Sequence, residues 1–127
     1  MKLEVDLVRQ LLLHIDEHAT RPISDLDSIT IEGWTDDQID YHVVQLEDAG
    51  FIEASIDSVP DNEDPDLVHV VYSVRRLTYK GHEFVETVRD ATIWRKVKEK
   101  AKVAGAVTLP ALMQVGAAFI KSQIGLG

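Results

Sequence analysis

A chain of 127 residues, 45% apolar and 28% charged, has room for one globular core and an appendage but not for two ordinary domains. Its formal charge of −9 conceals a polarity: residues 1–70 hold 18 Asp/Glu against 3 Lys/Arg, net −15, and residues 71–127 hold 4 against 10, net +6. The absence of cysteine excludes disulfides and thiolate zinc sites and points to a reducing, cytoplasmic setting; acidic residues in Met1-Lys2-Leu3-Glu4-Val5-Asp6 leave no apolar run for a secretory signal.

Leu3, Leu7, Val8, Leu11, Leu12 and Ile15 recur at spacings of three and four, which predicts an amphipathic helix from about residue 3 to residue 18. Arg21-Pro22 and the stretch Asp25 to Asp27 then mark a turn region, with at most one helical turn around Ile23 to Leu26. Ser28-Ile29-Thr30-Ile31-Glu32, closed by Gly33, alternates and is β-branched, so a short strand is expected there. Thr35 and Gln38 have the spacing of a capping box, in which each side chain satisfies the other residue's orphan backbone donor. Asp36 and Asp37 place favourable charge at the positive end of the helix dipole, worth about 0.3–1 kcal/mol each when exposed. The second helix therefore begins at Thr35. Ile39, Val43 and Leu46, flanked by Tyr41 or His42, form its buried stripe, and Gly50 stands where a left-handed residue ends it.

Phe51 to Ser58 alternates apolar and polar residues, as does Val68 to Val74, where Val68, Val70, Tyr72 and Val74 share one face. Pro60-Asp61-Asn62-Glu63-Asp64-Pro65-Asp66 between them is excluded from strand interior by its prolines and charge, so the two strands and their loop read as a wing. Thr78 then caps a helix that turns Phe84, Val85 and Val88 inward. A further helix carries Ile93, Trp94, Val97 and Ala101 on one face, Arg95, Lys96, Lys98, Lys100 and Lys102 on the other, and is expected to stop at Gly105. Thr108-Leu109-Pro110 starts the last helix, which contains Leu112, Met113, Gly116, Ala117, Ile120 and Ile124.

Met1-Lys2 with Asp6-Leu7-Val8-Arg9, the block from Ile31-Glu32-Gly33-Trp34 to Ala49-Gly50-Phe51-Ile52, and Leu77-Thr78-Tyr79-Lys80-Gly81-His82-Glu83-Phe84 carry a family likeness. Asp90-Ala91-Thr92-Ile93-Trp94, the lysines after it, and the closing Ile120-Lys121 to Ile124-Gly125-Leu126 extend that likeness nearly end to end. The chain resembles the bacterial and phage family catalogued as domain of unknown function 2513. The resemblance implies a winged-helix-like fold with a C-terminal helical extension and a phage or bacterial host-interaction setting. No activity is assigned to that family, so it lends no catalytic or binding residues.

Chemistry-bearing motifs are sparse. His14 and His18 have the four-residue spacing of two zinc ligands on one helix face, but no third ligand is evident and the His-Glu-x-x-His order is missing; a solvated helix C-terminus is the plainer reading. The acidic loop Asp57 to Asp66 lacks the Gly and closing Glu of an EF-hand and reads as a solvated wing tip. With no phosphate loop, nucleophile elbow or Cys/His pair, neither an enzyme nor a cofactor or metal is expected.

The expectation is an α+β fold: a winged-helix domain over about residues 3–90 and a two-helix extension over 91–127 that serves as a dimerisation or docking arm. Its recognition helix and wing carry Asp36, Asp37, Asp40, Glu47, Asp48, Asp61, Glu63 and Asp64 and have the wrong sign for DNA phosphates, so a protein partner is expected on this acidic surface. The alternative is a DNA-binding regulator whose Arg95, Lys96, Lys98, Lys100 and Lys102 contact the backbone, with base readout by Gln45 or His42. Residues 109–126 carry one charge, Lys121, and must be covered: by the same chain, by a second subunit, or by an anionic bilayer surface, since about 17 residues is marginal for spanning a membrane. For a homodimer the expected face is Leu109, Leu112, Met113, Gly116, Ala117, Ile120 and Ile124.

Overall fold

A computed structural model describes residues 1–103 and 108–123, and among them five helices and a two-stranded antiparallel sheet make a mixed α+β chain. The elements are α1 (Val5–His18), α2 (Asp36–Asp48), β1 (Ile52–Pro60), β2 (Val68–Leu77), α3 (Tyr79–Val88), α4 (Ala91–Val103) and α5 (Leu109–Gln123). They fall into two compact units, Met1–Gly81 and His82–Gly127.

In the first unit α1 and α2 pack on each other and on β2. Leu7, Val8, Leu11, Leu12 and Ile15 of α1 are buried, as are Ile39, Val43 and Leu46 of α2, because each set recurs on one helical stripe. The capping box forms as its spacing requires: the Thr35 hydroxyl accepts the Gln38 N–H at 3.2 Å, and Gln38 Oε1 accepts the Thr35 N–H at 3.0 Å. At the other end Gly50 takes φ +82°, and the Phe51 and Gly50 N–H groups donate to Leu46 O and Glu47 O, a Schellman closure. Phe51, fully buried, leads the chain straight into β1.

β1 and β2 pair from Ile52–Leu77 at the base to Pro60–Val68 at the tip. The register shifts between Glu53 and Ala54, opposite Arg76 and Val74, so Arg75 is the extra residue of a bulge; its carbonyl accepts the Ser24 N–H. Of the shared β2 face, Tyr72 and Val74 are buried while Val70 is half-buried and Val68 exposed, because the tip projects beyond the core. Thr78 caps α3 by accepting the Gly81 N–H at 3.1 Å, and its own N–H donates to Phe51 O at 3.0 Å. Gly81 lies so close to Phe51 O that a Cβ there would collide with it.

One expectation is corrected: Ser28 to Glu32 is not a strand. Ile23 to Leu26, where at most one helical turn is expected, holds none. Instead Ser24 and Leu26 bond to Arg75 and Val74, with Leu26–Val74 an isolated bridge. The ladder does not continue beyond the bridge: the Ile29 N–H donates at 2.8 Å to the Tyr72 hydroxyl of β2 instead of to a strand backbone.

The second unit holds most of α3 with α4 and α5. Phe84, Val85 and Val88 are buried, and the rings of Phe84 and Trp94 meet edge to face with centroids 6.4 Å apart. Asp90 starts α4 by accepting the Thr92 and Ile93 N–H groups at 2.8 and 3.0 Å. Trp94, Val97 and Ala101 are buried and Ile93 half-buried, the face its spacing requires. α5 packs on α4, and its Gly116 is pressed against the Thr87 side chain. The helix stop expected at Gly105 lies outside the described residues.

Candidate functional site

The acidic surface is assembled around the first two turns of α2. Asp36 and Asp37 are exposed and Asp40 half-buried. Across from them the alternation Asp25-Leu26-Asp27 turns Leu26 towards Val74 and leaves both carboxylates outside. Asp25, Asp27, Asp36 and Asp40 thus ring a cleft of about 640 Å³ whose floor is Val70 to Ser73 of β2. Ser73 donates its hydroxyl to Asp25 at 2.5 Å, which fixes one corner.

The negative field inside this cleft acts on the groups that line it. Burial, and then the charges of Asp37 and Asp36, hold the Asp40 carboxyl above the usual carboxylate range, with His69 opposing them. Burial pushes the Tyr72 phenol up as well; the bond from Ile29 opposes this, and Asp40, Asp36 and Asp27 add to the rise. On its other side α2 forms an apolar groove with β2, about 520 Å³, walled by Tyr41, Val44, Val68 and Val70 and rimmed by Asp37 and Asp40. Asp40 and Val70 line both spaces, so cleft and groove meet along the outer half of β2. Leu67, Val68 and Val71 are large apolar side chains left about half exposed beside them.

The remaining acidic residues divide. Glu47 and Asp48 are exposed at the far end of α2 and line neither space. At the tip of the β1–β2 hairpin Asp61 closes the loop: its carboxylate accepts the Glu63 and Asp64 N–H groups at 3.0 Å and lies 2.7 Å from His69 Nε2. These bonds, that of His69 first, bring its carboxyl down to about 2. Asp64 accepts the Asp66 N–H, so Asp61 and Asp64 serve the turn while Glu63 points to solvent.

His42 is corrected from a readout candidate to a core residue. It is 1% exposed; its Nδ1 donates to Gln38 O at 2.7 Å and its Nε2 accepts the Glu4 N–H at 2.8 Å. Those partners define the neutral, Nδ1-protonated ring and tie the start of α1 to the middle of α2. Gln45 is half-exposed and borders the apolar groove. His14 and His18 stack with ring centroids 4.0 Å apart; burial, and then the His18 charge, lowers the His14 pKa, with Glu17 opposing. Among the described residues no group of three His, Asp or Glu side chains is arranged to hold a metal ion.

In the second unit Arg95, Lys96, Lys100 and Lys102 are exposed on α4, and Lys98 lies 5.6 Å over the Trp94 ring. On α5, Leu109, Leu112 and Gly116 are buried, Met113 is half-buried and Ala117 exposed. The Ile120 side chain and Ile124 lie outside the described residues. Among the described residues no helix is long and apolar enough to cross a membrane.

The family model described as "Hypothetical protein (DUF2513)" matches residues 2–107, and the chain belongs to that family. A relative from Haemophilus influenzae named "Uncharacterized protein" is 32% identical over 126 residues, which cover 98% of this chain and 99% of the relative. No solved structure matches the chain.

Asp25 and Asp27 are the site residues that turn signals alone do not reveal. The available signal was an apolar residue between two acids, which places both carboxylates on one face as soon as the segment is extended.

Proposed function

We propose that this is a noncatalytic protein-interaction module of reduced winged-helix type. In this reading α2 stands for the recognition helix, β1 and β2 form the wing, and the Leu26–Val74 bridge is what remains of the third strand. The acidic surface around Asp36, Asp37 and Asp40 binds a cationic protein partner in a cytoplasmic, bacterial or phage host-interaction setting. The observation that carries this reading is that four carboxylates ring the cleft between α2 and β2, where a duplex-binding winged helix needs cations. Self-association through the outer row of α5, including Met113 and Ala117, belongs to the same proposal. Supporting it, Ala117 and Ala118 are small and exposed, which permits close helix approach.

The test compares co-purification from the native host by wild type and by the Asp36→Lys, Asp40→Lys variant, together with duplex DNA shifts at low salt. A partner retained by wild type and lost by the variant, with no DNA shift, is the expected outcome. The second reading, backbone binding by α4, draws on the exposed Arg95, Lys96, Lys100 and Lys102. A salt-sensitive DNA shift that disappears in Lys96→Glu, Lys100→Glu would replace the first reading with the second.

A further inference from the structure

The edge of β2 that faces Ser24 to Thr30 is paired at only one end. Leu26 and Val74 exchange both backbone hydrogen bonds, so on this edge the residues in phase with Val74, namely Tyr72, Val70 and Val68, turn their N–H and C=O groups outward. Beyond the bridge no strand runs alongside them: β1 and β2 make the only sheet among the described residues. The segment that would have continued the ladder donates its Ile29 N–H to the Tyr72 hydroxyl instead, and the space left between them is the acidic cleft.

The geometry points to strand addition at this edge by an extended segment of a partner protein that carries Lys or Arg at alternate positions. This inference rests on the protein-interaction reading above and names its partner's chemistry and binding mode. Backbone pairing supplies affinity without regard to sequence, and the surroundings supply selection. Asp25, Asp27, Asp36 and Asp40 line the space an added strand would fill, which favours a cationic strand. They also guard the edge against a second copy, because two such edges brought together would oppose carboxylate to carboxylate. Val68 on one face of the edge and Val71 on the other, each about half exposed, offer apolar surface to the side chains of an added strand.

The experiment uses the full, untagged chain and three blocked seven-residue peptides: Lys alternating with Val, Glu alternating with Val, and the Lys peptide with every backbone nitrogen methylated. Amide exchange by NMR and titration at low and moderate salt are the readouts. The Lys–Val peptide is expected to slow exchange at Tyr72 and Val70, and the Glu peptide to leave both unchanged. Methylation keeps the charge and removes the donors, so it is expected to weaken binding about tenfold or more. Asp36→Asn, Asp40→Asn is expected to weaken the Lys–Val peptide several-fold while the protein's own spectrum stays folded. Equal affinity of the methylated peptide, protection that maps elsewhere, or no binding at low salt overturns strand addition. If the host partner is still captured by wild type and lost by the Asp36→Lys, Asp40→Lys variant, the interaction reading survives that failure.

Discussion

At His42 an imidazole does the work of a backbone cap. α1 begins at Glu4 with no side-chain cap, and the Glu4 N–H is satisfied instead by a ring from the next helix. His42→Ala removes a buried ring and the acceptor of a part-buried donor, so a loss of about 1–3 kcal/mol is expected in urea denaturation. Asp40 carries a pH prediction of opposite character. Its folded carboxyl sits above the usual range, so the native state binds its proton more tightly than the unfolded chain does. The associated stability is complete below the ordinary carboxylate pKa and fades as pH rises through the raised one. Asp40→Asn is therefore expected to raise the melting temperature at pH 7 and to lose that advantage near pH 3. Asp61 runs the other way: its stabilising bonds persist above the unfolded value and fail only as pH falls through about 2. A carbon-detected titration of Asp61 checks this, and His69→Gln is expected to move its midpoint upward.

Among the elements, α2 was legible to the residue because its start and stop are written locally, in Thr35 and Gln38 and in Gly50. Gly50→Ala forces a side chain into φ +82° and is expected to cost roughly 1–2 kcal/mol. Gly81→Ala is expected to cost more, since its Cβ collides with the Phe51 carbonyl at the start of α3. Thermal melts of the two variants give the comparison. The hairpin of β1 and β2 was readable for the same reason, alternation bounded by prolines. The strand expected at Ser28 to Glu32 was not, although its residues favour one. There the Ile29 N–H donates instead to the Tyr72 hydroxyl, 43 residues away, and no local pattern contains that information. Tyr72→Phe is expected to destabilise the first unit by about 1–3 kcal/mol, because Ile29 then loses the acceptor for a buried N–H. His42 was half legible: it flanks the apolar stripe beside Tyr41, but its bond to Glu4, 38 residues away, is not written locally.

Across the whole chain the asymmetry of charge acquires a location. The acidic excess lies in the unit built from Met1–Gly81, and four of its carboxylates, Asp25, Asp27, Asp36 and Asp40, meet around one cleft. Composition gave the sign of that surface and α2 gave half of its residues; the other half, Asp25 and Asp27, required knowing that the turn region runs extended beside β2. α5 shows the opposite case. Its sequence demands cover on nearly every side, and its buried row is Leu109, Leu112 and Gly116, with small residues outside. If that outer row carries a dimer contact, Ala117→Glu is expected to halve the mass found by light scattering and leave helicity unchanged.

Met1 contributes to the wall of the apolar groove beside Tyr41, Val44 and Val68, and the Glu4–His42 bond fixes the chain three residues later. Any affinity handle or fluorescent fusion joined ahead of Met1 therefore emerges directly over that groove. Screens that immobilise the protein by its N-terminus would shield the surface they are meant to probe.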